Sequence, residues 1–200
     1  MSAFSIVSDF EKRVAEYAGA KEAIAVDCCT SAIFLSLKYR QSQGQWAPYV
    51  EVPARTYASV PMAVIHSGMK PKFVDRMWVG TYELNPMRVI DGAKRFRPAM
   101  YEGGLHCLSF HAKKILAIGR GGMILTDSPE AARWLRKARY DGREGKPYPE
   151  EKIDMLGWHC YMTPEQAARG MLLMDFLPPE PQDHLEDYPD LRDMPVFHGC

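Results

Sequence analysis

Residues 101–127 read YEGGLHCLSFHAKKILAIGRGGMILTD. The strand-like run Leu105–Phe110 is followed by the lysine pair Lys113 and Lys114, a glycine-rich turn and a second strand-like run, Met123–Thr126. A lysine turned into a desolvated cleft can lose its proton and attack a carbonyl, and a glycine-rich turn can hold an anion beside it. The ordinary alternative is a pair of solvated surface charges. Spacing alone leaves both readings open.

Upstream of this stretch, Ser8 and Glu11 form an S-x-x-E pattern ahead of Phe10, Val14 and Tyr17, which predicts a capping box and a short amphipathic helix ended by Gly19. Residues 23–27, AIAVD, read as a buried strand, and the polar turn Cys28–Ser31 leads into a helix with Ile33 and Leu37 on one face. A second unit follows. Tyr49–Ala54 is strand-like, Ser59 is a candidate N-cap, Pro61 suits a first helical turn, Gly68 is a stop, and Lys72–Asp75 gives a third strand. The segment RMWVGTYELNPM reads as an irregular loop or one more strand, and a short strand is expected at Arg88–Asp91.

Downstream, Ser128 and Pro129 start a helix with Ala131, Leu135 and Ala138 on one face. After a polar loop, Thr163, Pro164 and Gln166 cap another through Ala167, Met171 and Met174. From Leu177 the chain is proline-rich and acidic, without period, and is expected to form an extended tail packed on the body or a partner. The expected division is therefore residues 1–177 as one compacted large domain and 178–200 as the tail.

Strands alternating with helices predict an α/β fold with a mostly parallel sheet covered on both faces. Ligands in such sheets sit at the carboxyl ends of strands. Four loops place chemistry there: Asp27–Ser31, Arg55–Tyr57, Asp91, and His111–Lys114. Thr30 and Ser31 could present hydroxyls and N–H groups to a phosphate, or be ordinary helix caps. Asp91 could pair with a protonated ring nitrogen or a metal, or cap the next turn. Tyr57 could stack on a flat ring, or be core.

Two hundred residues suit one domain or one with a small appendage. Twenty-five basic and twenty-five acidic residues give zero formal net charge, so no global field draws in nucleic acid or an anionic membrane. No run approaches the roughly 18–20 apolar residues of a membrane span, and the N-terminal stretch lacks a secretory pattern. A cytoplasmic protein is expected. The five cysteines, Cys28, Cys29, Cys107, Cys160 and Cys200, have neither zinc-type nor CxxC spacing and read as reduced thiols, with no metal site.

Taken together, SFHAKKILAIGRGGMILTDSPEAARWLRKAR resembles the cofactor-lysine segment of the DegT/DnrJ/EryC1/StrS family of sugar aminotransferases. Three more stretches are similar in order: AVDCCTSAIFLSL to its phosphate-binding turn, EVPARTYASVPMAVIHSGMKPKFVD to its second and third strands, and MTPEQAARGMLLMDFL to its Met-Ser-x-x-Gln-Ala-Ala helix. The resemblance implies the three-layer, mostly parallel large domain of the fold-type-I (aspartate aminotransferase-like) enzymes, with pyridoxal 5′-phosphate as cofactor. It implies that Lys114 bonds covalently to the cofactor and that Asp91 holds its pyridine nitrogen protonated. Tyr57 falls at the ring-stacking position, Thr30, Ser31 and Ser109 at phosphate-holding positions, and Lys113 at a variable one.

Transamination is the implied reaction: an amino group passes from a donor such as Glu or Gln to a keto-sugar nucleotide or similar small carbonyl, in a homodimer. Two alternatives stand beside it: a degenerate scaffold that binds the cofactor or a partner without transaminase activity, and another pyridoxal-phosphate reaction such as decarboxylation or elimination. A third reading gives the cleft a different phosphate ligand. Departures from the family pattern are informative. Cys29 replaces a glycine, Lys94 stands where Gln or His lies beside the cofactor's phenolic oxygen, Gly92 follows Asp91 where the family has Ala, and Tyr140 replaces an Asn. A helix and a central strand are missing before RVID, and the C-terminal domain is reduced. Residues 76–84 are expected to fill part of the vacant strand position, or the sheet to be narrower.

Overall fold

The computed structural model describes residues 4–185 and 187–199; Cys200 lies outside the described residues, as does Glu186 within the tail. Among the described residues seven strands are formed: β1 (Glu22–Val26), β2 (Tyr49–Pro53), β3 (Lys70–Val74), β4 (Tyr82–Leu84), β5 (Val89–Asp91), β6 (Leu105–Ser109) and β7 (Gly122–Thr126). Five α-helices accompany them: α1 (Ser5–Ala18), α2 (Cys29–Ser42), α3 (Ser59–His66), α4 (Pro129–Ala138) and α5 (Pro164–Leu173).

Alternation along the strands makes three layers, because successive side chains point to opposite faces. Ile24, Val26, Leu105, Cys107 and Ile124 pack with the buried faces of α2, α3 and α4. Ala23, Ala25, Leu108, Met123 and Leu125 pack on the other side with Phe10 and Val14 of α1 and Ala167 of α5. Two apolar clusters thus sandwich the strands, as expected for an α/β fold.

The strand directions correct the expectation of a mostly parallel sheet. The main sheet has the order β1-β7-β6-β5-β4, and β2 and β3 form a separate pair. Only β5–β6 and β2–β3 are parallel; β1–β7, β6–β7 and β4–β5 are antiparallel. The cause lies in the connections. β6 passes to β7 through the lysine-bearing loop and β4 to β5 through a short turn, neither of which is a crossover helix, so each pair must run antiparallel.

Residues 82–84 fill the vacant strand position in part. β4 pairs with β5 on one side, and on the other the Asn85 carbonyl accepts the Glu51 N–H of β2 at 2.8 Å. Arg76 bridges the same seam by donating to the Glu83 carbonyl (2.9 Å) and the Glu51 carboxylate (3.2 Å).

Helix ends obey local chemistry where tertiary contacts do not compete. Ser128 caps α4 through the Ala131 N–H, and Thr163 with Gln166 makes a reciprocal capping box on α5. The predicted box at Ser8 and Glu11 does not form, because both lie inside α1, which ends at left-handed Gly19. Glu11 instead is 4% exposed, accepts the Ala25 N–H at 2.8 Å and pairs with Arg139. A buried carboxylate needs such partners. Beyond Leu177 the chain returns over the body, burying Leu191 and Phe197.

Candidate active site

β1, β5 and β6 run in the same direction, so the turns after their carboxyl ends gather at one edge of the sheet. The first turn of α2 starts there. Cys28 caps this helix, its sulfur accepting the Ser31 N–H (3.5 Å) and lying 3.3 Å from the Ser31 hydroxyl. The Thr30 hydroxyl meets that of Ser59 at 2.8 Å, tying the turn to the start of α3. Ser109 is opposite Gly122 in register. A Cβ built at Gly122 would lie 2.5 Å from the Cys28 carbonyl carbon, so only glycine lets β7 pass this close to the turn. Ser109, Thr30 and Ser31 therefore share a corner at the N-terminus of a 14-residue helix.

Asp91 ends β5 with 5% exposure. Its Oδ1 accepts the Ala93 N–H at 2.8 Å, and its Oδ2 accepts the Tyr82 hydroxyl at 2.7 Å. Tyr82 in turn lies 2.7 Å from the Thr56 hydroxyl, so β4, β5 and the turn after β2 each contribute one member of a buried relay. Burial pushes the Asp91 carboxyl above the usual carboxylate range; the Tyr82 and Ala93 hydrogen bonds and the ammonium charges of Lys114 and Lys94 pull the other way. The Cys29 thiol joins this cluster. Burial, then the Asp91 charge, raises its pKa well above that of a free thiol, with Lys114 opposing, so it stays neutral.

Lys113 and Lys114 have unequal surroundings. Lys113 is exposed, whereas Lys114 is half-buried, with its N–H on the His111 carbonyl at 2.8 Å. Lys94 is 4% exposed; its Nζ lies 5.0 Å from the Trp78 ring centroid and 4.2 Å from that of Tyr188. Tyr57 is 62% exposed, with its ring 6.4 Å from Tyr188. Tyr140 packs against Phe4 and Tyr161 under the Arg143 guanidinium. Of the four loops identified in the sequence, Arg55–Tyr57 is thus joined to Asp91 through Tyr82, and Asp27–Ser31 is tied to the start of α3.

Sequence reading missed Tyr82, Thr56, Trp78 and Tyr188. Trp78 packs at a tilt against Tyr82 (4.6 Å between centroids) and donates its indole N–H to the Arg55 carbonyl at 3.0 Å. For Trp78 and Tyr82 the signal available was the density of aromatics in the segment that follows β3.

A profile of the DegT/DnrJ/EryC1/StrS aminotransferase family matches residues 2–92 and 98–180. The spore coat polysaccharide biosynthesis protein SpsC of Bacillus subtilis is 30% identical over 217 residues, covering 82% of this chain and 55% of the relative. GDP-perosamine synthase of Caulobacter vibrioides is 27% identical, over 84% of this chain and 56% of its own. Among solved structures, S. venezuelae DesV in complex with a ketimine intermediate superposes with a TM-score of 0.72 at 22% identity, covering 86% of this chain and 57% of that one. A DegT DnrJ EryC1 StrS aminotransferase from Brucella abortus gives 0.70 at 21% identity, over 86% and 59%. The chain spans just over half the length of the curated relatives it matches. With both stretches of the profile carried in order on this fold, the chain belongs to the DegT/DnrJ/EryC1/StrS aminotransferase family.

Proposed function

We propose that the chain builds the cofactor side of a pyridoxal phosphate-dependent aminotransferase site, which moves an amino group from an amino acid such as Glu or Gln to a keto-sugar nucleotide or similar small carbonyl. The observation that carries this reading is the buried Asp91 carboxylate, fixed by two hydrogen bonds at the strand-end cleft. The residues fit the group. A water-excluded carboxylate suits a protonated ring nitrogen, and hydroxyls at a helix N-terminus suit a phosphate dianion.

When bound, pyridoxal phosphate supplies an aldehyde carbon that takes up an amine and a ring that takes up electron density. Thr30, Ser31 and Ser109 would hold its phosphate, Tyr57 would cover a ring face, and Lys94 would lie beside its phenolic oxygen. Lys114 Nζ would anchor the aldehyde carbon and, once displaced by the donor amine, take the proton from the donor's α-carbon. Tyr82 and Ala93 keep Asp91 oriented throughout. The neutral Cys29 thiol adds no competing anion. Two copies of the chain would complete the site as a homodimer, in the cytoplasm, with the large-domain unit ending near residue 177. Among the described residues no helix is long and apolar enough to cross a membrane.

Incubation with pyridoxal phosphate, borohydride fixation and peptide mapping test the assignment. A reduced adduct on the Lys114 peptide, with visible absorption lost in Lys114→Ala, is expected. Absence of an adduct on that peptide overturns the reading, and a monomeric sedimentation profile with cofactor bound overturns the dimer.

A further inference from the structure

The family match stops at residue 180, yet the chain beyond it is built onto the mouth of the cleft. Asp183 forms a two-oxygen pair with Arg95, at 2.9 Å to Nε and 2.5 Å to Nη2, and both side chains are largely enclosed. The His184 N–H donates to the Lys94 carbonyl at 2.9 Å. Farther along, the Leu191 N–H donates to the Ala54 carbonyl at 2.9 Å with its side chain 1% exposed. Arg192 pairs with Asp75 just past β3, and the Phe197 ring meets Phe73 at 5.5 Å. These anchors stretch the segment across the ends of β5, β2 and β3.

Between the anchors the segment delivers one ring. Tyr188 lies within 18° of parallel to Trp78, with centroids 6.3 Å apart, and Lys94 Nζ is close to both rings. A cavity of about 380 Å³ opens beside this arrangement, lined by Arg55, Trp78, Lys94, His184 and Tyr188. Trp78 also packs on Tyr82, the hydroxyl donor to Asp91. The ammonium of Lys94 is thus held in an aromatic clamp, one half of which comes from outside the family match.

We propose that Tyr188 is a positioning residue: by closing the clamp with Trp78, the ring packed on the Asp91 donor Tyr82, it fixes the Lys94 ammonium as a stationary cation at the cofactor site, just past the end of β5. Two cations favour the ionised form of Asp91, and they differ in duty. Lys114 must leave its place as it bonds, releases and moves a proton. Lys94 carries no covalent duty and can remain where the rings hold it.

The inference rests on the proposed cofactor reading, and its first measurement is independent of cofactor. Protein without pyridoxal phosphate is treated with limiting acetic anhydride, and lysine acetylation is followed by peptide mass spectrometry, with exposed Lys12 as internal standard. Tyr188→Ala is expected to raise the Lys94 rate by at least about tenfold, the scale of a desolvated cation–π contact. Tyr188→Phe, which keeps the ring, is expected to stay at the wild-type rate. With pyridoxal phosphate added, the absorption maximum of the bound cofactor should move in Tyr188→Ala and stay in Tyr188→Phe. A wild-type Lys94 rate in Tyr188→Ala overturns the clamp, as does a Phe variant that behaves like the Ala variant. An unmasked Lys94 with an unmoved absorption maximum overturns its role at the cofactor site. Failure to take up pyridoxal phosphate at all would fall on the functional reading, with the acetylation rates still deciding the clamp.

Discussion

His106 offers a measurement of how tightly the sheet is sealed behind the site. It lies in β6 with 3% exposure, and neither ring nitrogen has a hydrogen-bond partner among the described residues. Burial, then the nearby Arg95 charge, lowers its pKa from 6.5 to about 4. That difference corresponds to about 3 kcal/mol. Between these values the unfolded chain binds the proton and the folded chain does not, so stability is complete above about pH 6.5 and falls as the pH drops toward 4. Urea denaturation of wild type and His106→Leu at pH 7.5 and 4.5 isolates the term, since other groups cancel in the difference. Wild type should lose about 2 to 3 kcal/mol more than the Leu variant over this interval. Gly92 provides the second arm. A Cβ there would clash with His106 Nε2 and lie 2.7 Å from Cδ2. Gly92→Ala should cost about 1–3 kcal/mol in wild type by overpacking, and be neutral or stabilising in His106→Ala, a coupling of at least about 1 kcal/mol. Parallel pH curves, or an equal cost of Gly92→Ala in both backgrounds, would refute the sealed-ring argument.

The Asp91 relay and the sheet seam yield two more expectations. Tyr82→Phe removes a hydrogen bond to a buried carboxylate, worth about 1.5–3 kcal/mol, and should raise the Kd for pyridoxal phosphate by about tenfold or more in an absorbance titration. An unchanged Kd would mean that Tyr82 only fills space. Arg76→Ala should destabilise the fold by about 1–2 kcal/mol and speed hydrogen exchange at the Glu51 amide, which lies across the seam. Equal protection of that amide in both proteins would remove Arg76 from the seam.

Local patterns told the truth about local structure. The caps of α4 and α5 involve residues within one turn, so Ser128, Thr163 and Gln166 could be read directly. Ser8 and Glu11 carry the same pattern and mislead, because the Glu11 carboxylate is claimed by Ala25 and Arg139, partners that spacing cannot reveal. Strand positions were legible and their directions were not: the pairing of β6 with β7 across the glycine-rich lysine loop, and of β1 with β7, is set by contacts that the alternation of strands and helices does not reveal. The loops after β1, β5 and β6 were identifiable as neighbours, since strands of one direction in one sheet end at one edge. The relay behind Asp91 was hidden for a different reason. Thr56 and Tyr82 are 26 positions apart, and β4 is three residues long, too short to show a period. Tyr188 sits in a segment without periodicity, whose anchors are ion pairs and caps on distant loops. The Gly92 departure, by contrast, has a visible cause in the His106 ring.

The seam between β4 and β2 has a mechanical meaning. Thr56 belongs to the β2 side and Tyr82 to the β4 side, and their hydroxyls meet across the same seam that Arg76 and the Glu51–Asn85 bond join. Any widening of the join would draw Thr56 off Tyr82 before it disturbed the better-paired strands β5, β6 and β7. The hydroxyl contact is therefore a strain gauge: the orientation of Asp91 reports whether the two halves are drawn together, and whatever grips both halves at once, the segment from Asp183 to Phe197 included, sets its reading.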